Sequence, residues 1–117
     1  MNSQQWPEIL SRSRTGNVLA LSLFVPGRLL YFQGHFPEAP ILPGIVQLHW
    51  AVELAREAFA LGQSAPVAVQ VKYRNVIRPE ARLDLELRFD PARRRLGFAY
   101  REGERPCASG QLNFPAP

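Results

Sequence analysis

Two histidines, His35 and His49, are the side chains of this sequence best suited to moving protons near neutral pH. His35 stands at the start of a segment reading Gly34-His35-Phe36-Pro37-Glu38-Ala39-Pro40-Ile41-Leu42-Pro43-Gly44. Proline fixes φ and removes a backbone donor, while glycine admits conformations that other residues avoid. The segment is therefore neither a continuous helix nor a central strand, and it reads as a stiff, shaped loop. Directly after Pro43-Gly44 comes the most apolar helical pattern of the chain, so the loop presents a histidine at the mouth of a buried helix. No further His or Cys ligand set accompanies the pair, which argues against a metal site. Cys107, the one cysteine, excludes an internal disulfide and a cysteine-built cluster.

The elements that must position these groups follow from periodicity. Pro7 suits the first turn of a short helix running to Leu10 or Ser11. Asn17 to Val25 is rich in strand formers, with Leu19, Leu21, Leu23 and Val25 on one apolar face. Pro26-Gly27 turns the chain, and Arg28 to Phe32 reads as a short returning strand. Gly44 to Leu61 reads as one helix, apolar nearly all round in its first half and hence buried. Its second half places Glu53, Arg56 and Glu57 on the wetter side, and Gly62 supplies the stop.

Everything beyond Gly62 reads as strand and hairpin. Val67, Val69, Val71 and Tyr73 alternate with polar or small residues between Pro66 and Ile77. Leu83, Leu85, Leu87 and Phe89 alternate with charged residues, the cleanest half-exposed strand of the chain. Leu96 to Arg101 and Cys107 to Phe114 complete the set. Five or six strands and one long helix imply an α+β domain, an antiparallel sheet covered by its helix. One helix in a small domain leaves strand edges bare, so homo-oligomerisation through the sheet is expected.

At 117 residues with 46% hydrophobic and 21% charged content, the chain is expected to form one domain over residues 1–117. Its apolar runs fall short of the roughly 18–20 residues that span a bilayer. The N-terminus lacks a basic start and an apolar signal core, so the expected address is the cytoplasm. The net charge of +4 is almost wholly arginine, with Lys72 the sole lysine. Such a balance favours an anionic partner, and a nucleotide-composition bias towards Arg explains it equally well. The arginines alternate with core residues and form no basic stripe with interleaved aromatics, which disfavours a nucleic-acid module.

The Gly34-His35-Phe36-Pro37 and Pro40-Ile41-Leu42-Pro43-Gly44 elements resemble the signature of the β-hydroxyacyl-acyl-carrier-protein dehydratases. The strand Val69 to Arg74 and the ending Ala108-Ser109-Gly110-Gln111-Leu112 are similar in kind. The resemblance implies a hot-dog fold, a curved antiparallel sheet around a central helix, paired into a dimer. It also implies elimination of water from a 3-hydroxyacyl thioester to give the trans-2-enoyl thioester. That chemistry needs a base at the α-carbon, an acid for the departing hydroxyl and stabilisation of an enolate-like oxygen. The resemblance places His35 at the α-proton. It places the N–H groups around Gly44 at the carbonyl oxygen, and these first helical donors lack internal partners and sit at the positive end of the dipole. No cofactor is implied. The implied partner is an acyl carrier protein bearing a pantetheine-linked substrate.

The sequence departs from that pattern at one place. The family's helix carboxylate, fourteen positions after the motif histidine, is here His49. A neutral imidazole can donate from one nitrogen and accept at the other, so His49 could orient water or the hydroxyl. Glu53, one turn on, or Glu38 in the loop could restore a carboxylate. Phe36, Pro43, Trp50 and Glu53 are the substrate-binding candidates, with Phe32 as a further tunnel aromatic; each also serves as packing, as does Gln47. Arg74, Arg78, Arg82 and Arg93 to Arg95 are candidate contacts for an acidic carrier protein or its phosphate, the triple Arg reading more simply as a solvated hairpin tip. His49 suggests an atypical subtype dedicated to a specialised acyl chain such as an aryl polyene. An acyl thioesterase, or a non-catalytic subunit pairing as a heterodimer with an active homologue, are the alternatives.

Overall fold

The computed structural model describes residues 3–33 and 39–116. The order of elements is β1 (Glu8–Thr15), β2 (Val18–Phe24), a 3-10 turn (Leu30–Phe32), α1 (Gly44–Phe59), β3 (Val67–Tyr73), β4 (Arg82–Asp90), β5 (Arg95–Glu102) and β6 (Arg105–Asn113). The strands form one six-stranded sheet in the order β1-β2-β4-β5-β6-β3. Every pairing is antiparallel.

The alternation in the sequence decides which sheet face is covered. Leu19, Leu21 and Leu23 of β2 stand opposite Leu87, Leu85 and Leu83 of β4, and all six are buried. Leu96, Phe98 and Tyr100 continue the same face through β5. Against this face lies α1, contributing Trp50, Ala51, Leu54 and Ala55, all buried. Burying each large aliphatic side chain contributes about 1.5–3 kcal/mol, so this layer dominates the stabilisation. Cys107 is a free thiol buried in the same core. Burial pushes that thiol above its usual range, as suits a packing residue and not a reactive one.

Four expectations are corrected. The segment after Pro7 is the edge strand β1, not a short helix. Both of its faces are exposed, so it carries no periodicity to read, and pairing with β2 decides its conformation. Arg28 to Phe32 holds a 3-10 turn and not a returning strand, because β1 and β4 already occupy both sides of β2. The helix ends at Phe59 with Ala60 in the left-handed region at φ 53°, two residues before Gly62. The strand read from Pro66 to Ile77 stops at Tyr73, and Val67, Val69 and Tyr73 are largely exposed because β3 is the other edge of the sheet.

Candidate active site

The first turn of α1 is built by sequence to leave donors free. Pro43 stands at the N-cap and no side chain caps the helix. The N–H groups of Val46 and Gln47 both bond to the Pro43 carbonyl, at 3.1 and 3.2 Å. The helix offers no acceptor to the N–H groups of Gly44 and Ile45. With no acidic residue in the first turn, the positive end of the helix dipole is uncompensated there. A group carrying partial negative charge is what this end would stabilise.

Tyr73, from the end of β3, reaches over this turn and donates its hydroxyl to the Gly44 carbonyl at 2.8 Å. Leu42 is pinned close by, since its N–H bonds to the Ile77 carbonyl at 2.7 Å and its carbonyl accepts from Gln47 Nε2 at 3.1 Å. Leu42, Gly44, Gln47, Tyr73 and Arg74 help to line a cavity of about 350 Å³ at the helix N-terminus. Burial raises the Tyr73 hydroxyl pKa, which keeps it a neutral donor.

His49 points elsewhere. It is exposed on α1 and lines a larger groove, about 570 Å³, with Ile45, Val46, Leu48, Val52, Glu53 and Arg56. The ring of Trp6 packs on the imidazole with centroids 5.2 Å apart. Trp6 is held there because the Gln5 carbonyl accepts from Trp50 Nε1 at 2.9 Å and from the Tyr31 hydroxyl at 3.3 Å. Sequence reasoning missed Trp6, whose only signal was a bulky aromatic in a polar N-terminal segment.

The site residues expected from sequence are thus divided. Gly44 and Pro43 sit at the helix N-terminus. His49 and Glu53 share the groove on another flank of α1. Within one chain, Gly44 and His49 line different cavities. His35, Phe36 and Glu38 lie outside the described residues. Glu53 does not turn to His49, because its carboxylate is held by Arg56 Nε at 2.7 Å. Trp50 is fully buried and packs edge-on to Tyr31, so it belongs to the core and not to a substrate wall.

The arginines separate in the same way. Arg74 is exposed at the rim of the Gly44 cavity, and Arg78 and Arg82 are exposed nearby in sequence. Arg94 donates to the carbonyls of Phe114 and Pro115, and Arg95 donates to the Asn113 side chain. That part of the triple Arg ties the β4–β5 turn to the end of the chain. Among the described residues no cluster of three or more His, Cys, Asp or Glu could hold a metal, and no helix is long and apolar enough to cross a membrane.

One long helix laid on an antiparallel sheet, with a proline loop feeding the helix N-terminus, is the hot-dog arrangement. The model of the ApeI-like family, described as ApeI dehydratase, matches residues 11–111, and the chain belongs to that family. Among curated proteins it is similar to a 3-hydroxyacyl-acyl-carrier-protein dehydratase FabZ of Novosphingobium aromaticivorans, 35% identical over 75 residues, covering 56% of this chain and 48% of that protein. The chain spans about half the length of that relative. Among solved structures, the dehydratase heterocomplex ApeI:P from Xenorhabdus doucetiae superposes with a TM-score of 0.86 at 27% identity, covering 92% of this chain and 96% of that one. A protein from Erwinia carotovora subsp. atroseptica gives a TM-score of 0.80 at 30% identity, covering 92% and 94%.

Proposed function

We propose that the protein dehydrates a 3-hydroxyacyl thioester carried on an acyl carrier protein to the trans-2-enoyl thioester. The observation that carries this reading is the uncapped N-terminus of α1 at Gly44, which lines a cavity together with Leu42, Gln47 and Tyr73. The thioester carbonyl oxygen sits on the Gly44 and Ile45 N–H groups, which match the negative charge that develops there. His35 removes the proton from the α-carbon. The electrons of that C–H bond form the new double bond, the bond from the β-carbon to oxygen breaks, and the hydroxyl leaves as water after receiving a proton. His49 supplies or relays that proton across a subunit boundary.

A boundary is invoked because Gly44 and His49 open into different cavities of one chain. The exposed edge β3, with Val67 64% exposed, and the groove carrying Ile45, 71% exposed, are the surfaces that a second hot-dog chain would cover. That partner is a second copy of this chain or a related subunit. The heterocomplex named for the Xenorhabdus doucetiae relative favours the second form. A further observation points the same way, since the Glu53 carboxylate in the His49 groove is held by Arg56 and a partner would have to bring its own. The reading includes a cytoplasmic setting and a polyene-type acyl chain, the latter because a histidine stands where general dehydratases carry an acid.

The test is to incubate the protein with a 3-hydroxyacyl thioester and follow both enoyl formation and free thiol. Enoyl product that vanishes in His35→Ala is expected. Release of thiol would make the protein a thioesterase instead. Neither product across several chain lengths, with product appearing only when a second hot-dog subunit is added, would assign the chemistry to the pair.

A further inference from the structure

Gln47 is the one buried polar residue among the described residues, only 4% exposed. Its Nε2 donates to the Leu42 carbonyl at 3.1 Å, and its Oε1 has no hydrogen-bond partner. Rotating the amide would set two acceptors face to face at Leu42, so the orientation is fixed by the bond already made. An amide oxygen can only accept. Leaving it unmade in the interior carries a desolvation cost that an apolar side chain of similar length at this position would avoid.

Gln47 follows Gly44 by three residues and so lies on the same side of α1. Helical side chains lean towards the N-terminus, which brings the amide back to the level of the first turn, in the wall of the Gly44 cavity. Of the other polar groups of that wall, Arg74 lies exposed at the rim, and Tyr73 and Asn75 are engaged. The Tyr73 hydroxyl donates to Gly44 O, and Asn75 Nδ2 donates to Pro106 O at 2.7 Å. The Tyr100 hydroxyl donates to the backbone carbonyl of Gln47 itself, at 2.6 Å. Gly44 and Gln47 thus stand in the wall of one cavity, the first with an N–H that the helix leaves without an acceptor and the second with a buried Oε1 that has no partner.

We propose that Gln47 Oε1 accepts the hydrogen of the substrate's β-hydroxyl and so selects and positions 3-hydroxyacyl chains. This rests on the dehydratase reading above. A 3-hydroxyacyl thioester carries an acceptor, the carbonyl oxygen, and a donor, the hydroxyl, two carbons apart, the chemical complement of an N–H donor at Gly44 and an amide acceptor at Gln47. The amide N–H groups of the pantetheine arm are the competing donors, but the arm must leave towards solvent and Oε1 is buried. Holding the O–H hydrogen leaves the oxygen's lone pairs open to the incoming proton. As the bond from the β-carbon to oxygen breaks, that oxygen takes the proton and departs as water, still donating to Gln47.

The test compares two unreactive probes, a 3-hydroxyacyl pantetheine amide and the saturated acyl pantetheine amide of the same length, on wild type, Gln47→Met and Gln47→Glu, with thermal unfolding measured alongside. Wild type is expected to bind the hydroxylated probe about tenfold more tightly, the usual size of one buried hydrogen bond. Gln47→Met should bring the ratio close to one, and Gln47→Glu, which keeps an acceptor, should retain a preference. An unchanged ratio in Gln47→Met, with both probes weakened equally or neither weakened, overturns the proposal, whether the oxygen then holds the arm or only water. If Gln47→Met does not fold, the Glu variant decides: a retained ratio supports the proposal and a lost one overturns it. Dehydration by wild type with no change of ratio removes this inference alone, whereas absence of dehydration removes the reading beneath it.

Discussion

The ring of Tyr73 lies so close over Gly44 that a β-carbon there would stand 2.7 Å from Tyr73 Cζ, while the Tyr73 hydroxyl bonds to the Gly44 carbonyl at 2.8 Å. Glycine is required at this point for close approach and not for a special φ. The contact fixes the first turn of α1 against the end of β3, and so fixes where its free N–H groups point. Gly44→Ala is expected to lose about 1–3 kcal/mol of stability, the usual range for overpacking, and to lower turnover. Adding Tyr73→Ala should recover part of the stability, and a thermal-denaturation cycle over the four proteins measures that coupling. Strict additivity would show that the two residues do not press on each other.

His49 is expected to matter through proton transfer. His49→Ala should reduce turnover of a 3-hydroxyacyl thioester by about 10²–10⁴-fold, the range for loss of a general acid or base. His49→Glu should recover part of it by restoring the carboxylate that general dehydratases place here. Wild-type turnover in His49→Ala would remove the residue from the mechanism and leave it as the platform under Trp6.

Arg74 stands exposed at the rim of the Gly44 cavity, where the arm of a carrier protein would enter. Arg74→Glu should raise KM for substrate on carrier protein by about tenfold at low salt and less at high salt, because exposed charges are screened beyond about 10 Å at 0.1 M. KM for the same acyl group on free pantetheine should change little. Equal effects on the two substrates would place Arg74 in the cavity wall and not on a docking surface.

The alkaline limb of stability should report the buried phenols. Burial raises the Tyr100 hydroxyl well beyond the usual phenol range, with the nearby Tyr73 adding to the effect, and burial also raises Tyr73. Below about pH 10 these phenols are neutral in both folded and unfolded chains and contribute in full. Above that, the unfolded chain releases protons that the folded chain keeps, so stability falls as pH rises. The melting temperature should therefore decline from about pH 10 upwards, and Tyr100→Phe should flatten the decline while costing about 1 kcal/mol at neutral pH for the lost bond to Gln47 O. An identical alkaline slope in the variant would contradict this.

Ala60 holds the left-handed conformation at the helix C-terminus, and its N–H bonds to the Arg56 carbonyl. Glycine takes that conformation without the steric penalty of about 1–2 kcal/mol. Ala60→Gly should therefore stabilise the protein by about 1 kcal/mol, less whatever the looser unfolded chain takes back. A lower melting temperature would contradict it.

How much of this was legible beforehand differs from residue to residue. Leu83, Leu85, Leu87 and Phe89 announced β4 and its buried face, because strict alternation has one physical solution on a half-covered sheet. The start of α1 was legible because Pro43-Gly44 can begin a helix but not continue one. Strand β1 was not, since an edge strand exposed on both faces has no pattern and is held by pairing alone. Gln47 read as packing, because nothing local shows that one end of an amide is bonded and the other is not.

The sequence by itself determined the chemistry on offer: two imidazoles, a stiff loop and a helix start with uncapped donors. Local rules suffice for these, because they depend on residue type and on neighbours a few positions away. Only the tertiary structure decided how they are grouped. It places Tyr73, far along the chain, over Gly44, turns His49 out under Trp6, engages Glu53 with Arg56 and seals Trp50 in the core. Those outcomes depend on which strands pair and which face of the helix the sheet covers, and no stretch of the chain records that alone.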